Sequence, residues 1–205
     1  MGLFISFEGG DGCGKTAQIE RLRSRIEEKG HQVIAVHEPG TTPLGEFLRT
    51  WLKSHRPTSF EAELFLFAAA RSELVSSIIV PHLNASNSVI VSDRYADSTT
   101  AYQGFGRGLD LEQVKSANQL ATRGIWPDLT VLLDLDPSVG LARRRGLDAP
   151  DQRKFEEESL SFHRRVREGY LFLARQEPDR WFVVDATLPQ EEVSDLVWSR
   201  VVGLL

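Results

Sequence analysis

Hydrophobic positions along the chain fall into short blocks. "LFISFE" (3–8), "VIAVHE" (33–38), "SVIVSD" (88–93), "LTVLLDL" (129–135) and "WFVVD" (181–185) are apolar runs without polar alternation. Runs of this kind predict strands buried on both faces, as in a parallel sheet. Between them, apolar residues recur at three- and four-residue steps. Ile19, Leu22 and Ile26 predict one helix, ended by Gly30. Phe60, Leu64, Phe67, Leu74 and Ile78 predict a long one that stops near Pro81. Phe155, Phe162, Val166, Tyr170 and Leu173 predict a third; Val193, Val197, Val201 and Leu204 predict the last. Strands alternating with helices predict a doubly wound α/β fold, a five-stranded parallel sheet flanked by helices. The irregular segment "ARRRGLDAPDQRK" (142–154) is charged and broken by Gly146 and Pro150. It reads as a mobile insertion rather than a boundary, so residues 1–205 are taken as a single domain.

Bulk composition narrows the partners. The 205 residues are 41% hydrophobic, enough for a proper core, and carry a net charge of -5. That balance argues against nucleic acid and against a polybasic membrane binder. No run of about 18 apolar residues suggests a membrane span. "MGLFISFEGG" lacks the basic and long apolar regions of a secretory signal. The single cysteine, Cys13, excludes an internal disulfide and fits a reducing compartment, so a cytoplasmic location is expected.

Two constellations carry chemistry. Gly9-x-x-x-x-Gly14-Lys15-Thr16 fits the phosphate-binding loop pattern, between a predicted strand and a predicted helix. Its glycines (Gly9, Gly10, Gly12 and Gly14, with Asp11 and Cys13 between them) let backbone N–H groups converge on phosphate oxygens. The helix N-terminus adds its dipole. Lys15 is expected to bridge β- and γ-phosphates of ATP, and the Thr16 hydroxyl to ligate Mg²⁺. A bare strand–helix turn would explain the glycines but not Lys-Thr at this offset. The Asn-Lys-x-Asp guanine reader of GTPases is absent. Asp93, at a strand end, is a candidate for Mg²⁺ or its waters; a helix cap is the plainer role. In "VSDRYADSTTAYQG" (91–104), Arg94 stands at the carboxyl edge of the sheet, where a guanidinium fork suits a phosphate. Ser98, Thr99, Tyr102 and Gln103 follow within two turns. Phe67 and Arg71 are four apart on an otherwise apolar helix face, so Arg71 needs an acceptor, either an internal carboxylate or a bound base.

Asp93-Arg94-Tyr95 with Ser98, Thr99, Ala101, Tyr102 and Gln103 resembles the signature of thymidylate kinases. "HEPGTTPLGEFLR" (37–49), "FAAAR" (67–71), "YQGFGRGL" (102–109), "PDLTVLLDLDP" (127–137) and "FHRRVREGY" (162–170) extend the resemblance over nearly the whole chain. It implies a P-loop NTPase fold with a mobile basic lid at about 141–155, and transfer of the γ-phosphoryl of Mg·ATP to dTMP. It places Arg94 on the dTMP phosphate, Phe67 and Arg71 on the base, and Thr99 and Gln103 near it. Asp11 falls near the sugar 3′-hydroxyl or the metal shell, Tyr102 against the 2′-position, and Pro39 in the same pocket. It also implies a homodimer.

Some family members carry a catalytic arginine in the phosphate loop. Gly12 stands at that position here, so the chain resembles the type that places it on the lid. Arg143, Arg144, Arg145, Arg153 and Lys154 are the cations available there, and Arg145, Arg153 and Lys154 are the catalytic candidates beside Lys15 and Arg94. "RKFE" (153–156) departs from the family's Asp-Arg-aromatic-Glu. His37 and Thr41 depart from an arginine and a second glycine. The competing readings are another nucleoside monophosphate kinase, a deoxynucleoside kinase, or an ATP sensor without turnover.

Overall fold

The computed structural model describes residues 2–54, 56–144, 155 and 157–205. Five parallel strands form the sheet: β1 (Leu3–Glu8), β2 (Gln32–His37), β3 (Ser88–Asp93), β4 (Leu129–Asp134) and β5 (Trp181–Asp185). Their spatial order is β2-β3-β1-β4-β5. All five expected strands are present, displaced by no more than a residue at either end. From β1 the chain goes to β2 at one edge, returns to β3 beside β1 and then crosses to β4 on the other side, so the crevice beside the carboxyl end of β1 is a topological switch point. The register sets Phe7 of β1 beside Asp93 of β3, which brings the glycine loop and the Asp93-Arg94 turn to one edge.

Successive side chains of a strand face opposite ways. Ile5, Phe7, Val89, Val91 and Val131 pack on one side with Ile19, Leu22 and Ile26 of α1 (Lys15–Glu28) and Val193 and Val197 of α9 (Gln190–Val201). Phe4 and Ile90 face the other way, onto Leu74 and Val75. Leu132, Phe162, Val166 and Tyr170 form a third cluster beneath α8 (Leu160–Gln176). Each such side chain contributes about 1.5–3 kcal/mol on burial. The expectation of burial on both faces holds for the central strands only. β2 and β5 are edge strands, paired on one side and partly exposed.

The helical pattern needs correction in four places. The long helix ends near Pro81 as expected, at Leu83, but it is not α-helical throughout. It runs as α3 (Phe60–Leu74), a π-helical stretch (Val75–Ile79) and a last turn α4 (Val80–Leu83). Pro81 comes just after the π-helical stretch, within a continuous helical run. Phe155 is not part of α8, and Leu204 lies beyond α9. Residues 142–144 are not irregular, since they close α7 (Pro137–Arg144). Also present and not predicted are α2 (Pro43–Lys53) and α6 (Leu111–Thr122), started by the capping side chains of Thr42 and Asp110; a short turn, α5 (Ala96–Thr99), follows β3.

By length and composition the helical run Phe60–Leu83, which contains an 18-residue stretch with a mean hydropathy of 1.5, could cross a membrane. It holds Glu63 and Arg71, however, both buried and both in ion pairs, and its inner face belongs to the core beneath the sheet.

Candidate active site

Beyond Glu8 the chain turns through Gly9 (φ 136), Gly12 (φ 73) and Gly14 (φ 97), backbone conformations that side chains rarely adopt. Gly14 is the N-cap of α1 and offers no side chain to cap it, nor is any acidic residue in the first turn. The helix N-terminus is thereby left to receive an anion. Lys15 lies buried along the loop, its Nζ 3.2 Å from the carbonyls of Gly9 and Gly10. A Cβ on Gly12 would run into the Gly140 carbonyl of α7, and a Cβ on Gly140 into that of Asp11. Loop and α7 touch backbone to backbone. Position 12 lacks an arginine because no side chain fits there.

A cavity of about 850 Å³ opens at this edge. It gathers Asp11, Gly12, Gly14, Lys15 and Thr16 from the loop. From the other elements it gathers Pro39, Phe67, Arg71, Asp93, Arg94, Ser98, Thr99, Tyr102 and Gln103. Gly9, Gly10 and Cys13 do not line it. Cys13 lines a smaller neighbouring cavity of about 320 Å³ with Gln18, Arg143 and Leu188. Thr16 Oγ1 donates to Asp93 Oδ2 at 3.5 Å, so the two expected metal residues are neighbours. Arg143 and Arg144 border the cavity, and Arg143 donates to the Ala186 carbonyl at 3.3 Å. Arg145, Arg153 and Lys154 lie outside the described residues.

Arg94 adopts φ 72. Its NH1 donates to the Gly9 carbonyl (3.0 Å), the Tyr170 hydroxyl (3.1 Å) and Ser98 Oγ (3.3 Å). Its NH2 donates to Asp11 Oδ1 (3.1 Å) and the Tyr102 hydroxyl (3.2 Å). Burial works against its charge, but the Tyr102 and Tyr170 oxygens, Asp11 and Asp93 hold the guanidinium firmly protonated. Burial pushes the Asp11 carboxyl up; Arg94, Lys15 and Arg144 outweigh it and leave Asp11 below its usual range.

Arg71, 1% exposed, has an internal carboxylate. Its Nε and NH2 donate to Glu38 Oε2 at 2.8 and 2.6 Å, its NH1 to Asn118 Oδ1 at 2.9 Å, and NH2 also to Thr99 Oγ1 at 2.9 Å. The plainer account of Arg71 therefore stands in the geometry, although Arg71 and Glu38 both also border the cavity. Gln103 Nε2 donates to buried Glu63 at 3.0 Å. Phe67 stands 6.1 Å from Phe155 between ring centres, and Tyr102 stands 6.3 Å from the same ring.

Thr41 adopts φ 65, the conformation that explains a glycine at that position. Its hydroxyl accepts from the His37 N–H at 2.8 Å, which holds it there.

Sequence reasoning missed Glu8, Glu38, Glu63, Asn118 and Tyr170, which hold the cavity's arginines and Gln103. The available signal was a glutamate ending an apolar strand run, at Glu8 and again at Glu38.

A parallel α/β sheet with a glycine loop running into a helix, at a switch point, defines a P-loop nucleoside triphosphate-binding protein. The thymidylate kinase family model matches residues 7–197. A thymidylate kinase of Thermomicrobium roseum is 48% identical over 205 residues, covering 100% of this chain and 97% of that protein. Those of Synechococcus sp. (strain JA-3-3Ab) and Deinococcus radiodurans are 48% and 45% identical, over 97% and 98% of this chain and 95% and 97% of theirs. The chain belongs to the thymidylate kinase family.

Proposed function

We propose that this chain transfers the γ-phosphoryl group of Mg·ATP to dTMP, giving dTDP and ADP for dTTP synthesis, with residues 1–205 acting as one kinase domain. A phosphate oxygen of dTMP attacks the γ-phosphorus as the bond to the β–γ bridging oxygen breaks, with no covalent enzyme intermediate. The observation that carries the reading is a single cavity bordered both by the P-loop pair Lys15-Thr16 and by Arg94 with its partner Asp11.

Gly9 to Thr16 hold the donor phosphates, and Lys15 neutralises charge on the moving group. Thr16 and Asp93 fit Mg²⁺, which binds through few protein oxygens and keeps waters and phosphates as its other ligands. When bound, the ion draws charge from the β- and γ-oxygens. Arg94 receives the acceptor phosphate, and Ser98 supports it. Pro39, Phe67, Arg71, Thr99 and Gln103 form the base end, and Tyr102 crowds the 2′-position of the sugar. The lid cations Arg145, Arg153 and Lys154 complete the charge shell and exclude water.

The test is a phosphorylation panel of dTMP, dUMP, dCMP, dGMP and thymidine, scored by ADP release. Turnover is expected with dTMP far above the rest. Preference for thymidine, which has no phosphate for Arg94, would overturn the acceptor assignment, and ADP release indifferent to dTMP would overturn the kinase reading.

The same reading makes the protein a cytoplasmic homodimer. Support comes from apolar side chains left exposed on neighbouring helices: Phe47 on α2, Phe65 on α3 and Leu120 on α6. Sedimentation of the wild type and Phe65→Glu checks it, with a monomeric wild type the contrary result.

A further inference from the structure

Glu8 ends β1 with no exposure to solvent, and the transfer scheme does not use it. Both of its oxygens are engaged. Oε1 accepts the Tyr95 backbone N–H at 2.7 Å. Oε2 accepts the Ser98 hydroxyl at 2.5 Å and the Tyr170 hydroxyl at 3.0 Å. Those two hydroxyl oxygens are 2.8 Å apart and are the ones that accept from Arg94 NH1. A hydroxyl that gives its hydrogen to a carboxylate keeps its lone pairs for another donor, here Arg94.

The backbone is held by the same group. Arg94 sits in the left-handed region, a conformation that costs free energy for any residue but glycine. Its own N–H donates to the Phe7 carbonyl at 3.0 Å, and the next N–H, that of Tyr95, goes to Glu8. One carboxylate thus secures the strained turn and, through two hydroxyls, the side chain that leaves it.

We propose that Glu8 is a positioning residue for Arg94, holding the guanidinium pre-aligned for the acceptor phosphate through Ser98 and Tyr170. The proposal rests on the reading of Arg94 as the acceptor-phosphate ligand. Asp11 steadies the NH2 side and the Glu8 relay steadies the NH1 side. An arginine already fixed loses little side-chain freedom when the phosphate arrives.

The charge state of Glu8 follows from its neighbours. The groups that face it are Asp97 and Ser98 of α5, Arg94 and the Tyr95 N–H from the turn after β3, and Tyr170 of α8. Burial and then the charge of Asp97 push its carboxyl up to about 7, against the pull of Ser98, Arg94 and the Tyr95 N–H. All three hydrogen-bonded groups donate, so the ionised form fits. Protonation turns one hydroxyl round and takes a lone pair from Arg94.

Glu8→Gln keeps the volume but presents an NH2 that reverses a hydroxyl. Expected are a KM for dTMP raised about tenfold, the order of one hydrogen bond to a charge, and an unchanged KM for ATP. The wild-type rise in kcat/KM for dTMP through about pH 7 should be steeper than that of the variant, the difference being the part that Glu8 contributes. The substrate phosphate titrates in both proteins and cancels in the comparison.

A structural role is separated by a double-mutant cycle. If Glu8 acts through Arg94, Glu8→Gln adds no further loss in an Arg94→Ala background. Multiplied losses, or an unchanged KM in the single variant, overturn the proposal. An Arg94→Ala enzyme with unchanged KM for dTMP overturns the reading beneath it instead. Tyr170→Phe deletes one hydroxyl with little change of shape. It is expected to move the KM for dTMP in the same direction by a smaller factor, and it decides the matter if Glu8→Gln does not fold; no shift in KM then overturns the proposal.

Discussion

Replacing Arg71 by alanine tests the most deeply buried charge of the cavity wall. Arg71 is the partner of Glu38 Oε2, and among the described residues Glu38 Oε1 has no hydrogen-bond partner. Removing the guanidinium leaves a carboxylate that is 5% exposed without a donor. Breaking a buried pair from one side costs about 3–5 kcal/mol. For a chain of this length each kcal/mol lowers Tm by about 2–4 °C, so a fall of about 10 °C is expected. The cost depends on pH. Burial raises the Glu38 carboxyl above its usual range even though Arg71 pulls it down. Without Arg71 the folded-state value climbs further, and the folded variant holds a proton that the unfolded chain has released. Stability therefore falls as pH rises through that window, and the gap from wild type is wider at about pH 8 than at about pH 6. Thermal melts of both proteins at the two pH values measure it, with KM values for dTMP and ATP taken beside them. A loss below about 1 kcal/mol, or a gap equal at both pH values, would refute the account of Arg71 as the neutraliser of Glu38. Equal rises in both KM values would confine Arg71 to that structural role.

Lys15→Ala should fold with a stability change of about 1 kcal/mol, since its contacts are to loop carbonyls, yet lose at least about a hundredfold in kcat; near-normal turnover sinks the donor-site assignment. Gly12→Ala places a Cβ at positive φ against the Gly140 carbonyl and should cost about 2–4 kcal/mol, read as a lowered denaturation midpoint. Wild type should lose stability as pH rises from about 5 to about 8, and Glu8→Gln, which has no proton to release there, should lose less. The ordinary Glu8 value of 4.5 rises to about 7 on folding, so the folded state binds more protons across that window and stability is lost as pH rises through it. Denaturation midpoints of the two proteins that move equally between about pH 5 and about pH 8 contradict that sign.

The strands and the phosphate loop were legible in the sequence because each is a local matter. A central parallel strand is covered on both faces, so its whole run must be apolar, and β1, β3 and β4 read that way. A P-loop closes on its own backbone, so glycine spacing and the Lys15-Thr16 offset are set within eight residues. The resemblance carried Pro39, Phe67, Arg71, Ser98, Thr99, Tyr102 and Gln103 to one site, and these residues border one cavity, whereas Arg145, Arg153 and Lys154 lie outside the described residues.

Other features depended on packing that no local pattern records. The apolar spacing and Pro81 located the end of the long helix, but not the π-helical stretch that precedes Pro81. Phe155 kept the helical spacing and yet lies outside α8. Partners of the buried charges are distant in the chain: Glu38 and Arg71 are 33 residues apart, Glu8 and Tyr170 are 162 apart. Strand order and helix crossing decide such pairs, because they determine which polar tips meet after the apolar faces have been buried. Gly12 shows the division most plainly. Its lack of a side chain was visible in the sequence, whereas the cause, a backbone contact with Gly140 on α7, exists only once the chain has folded.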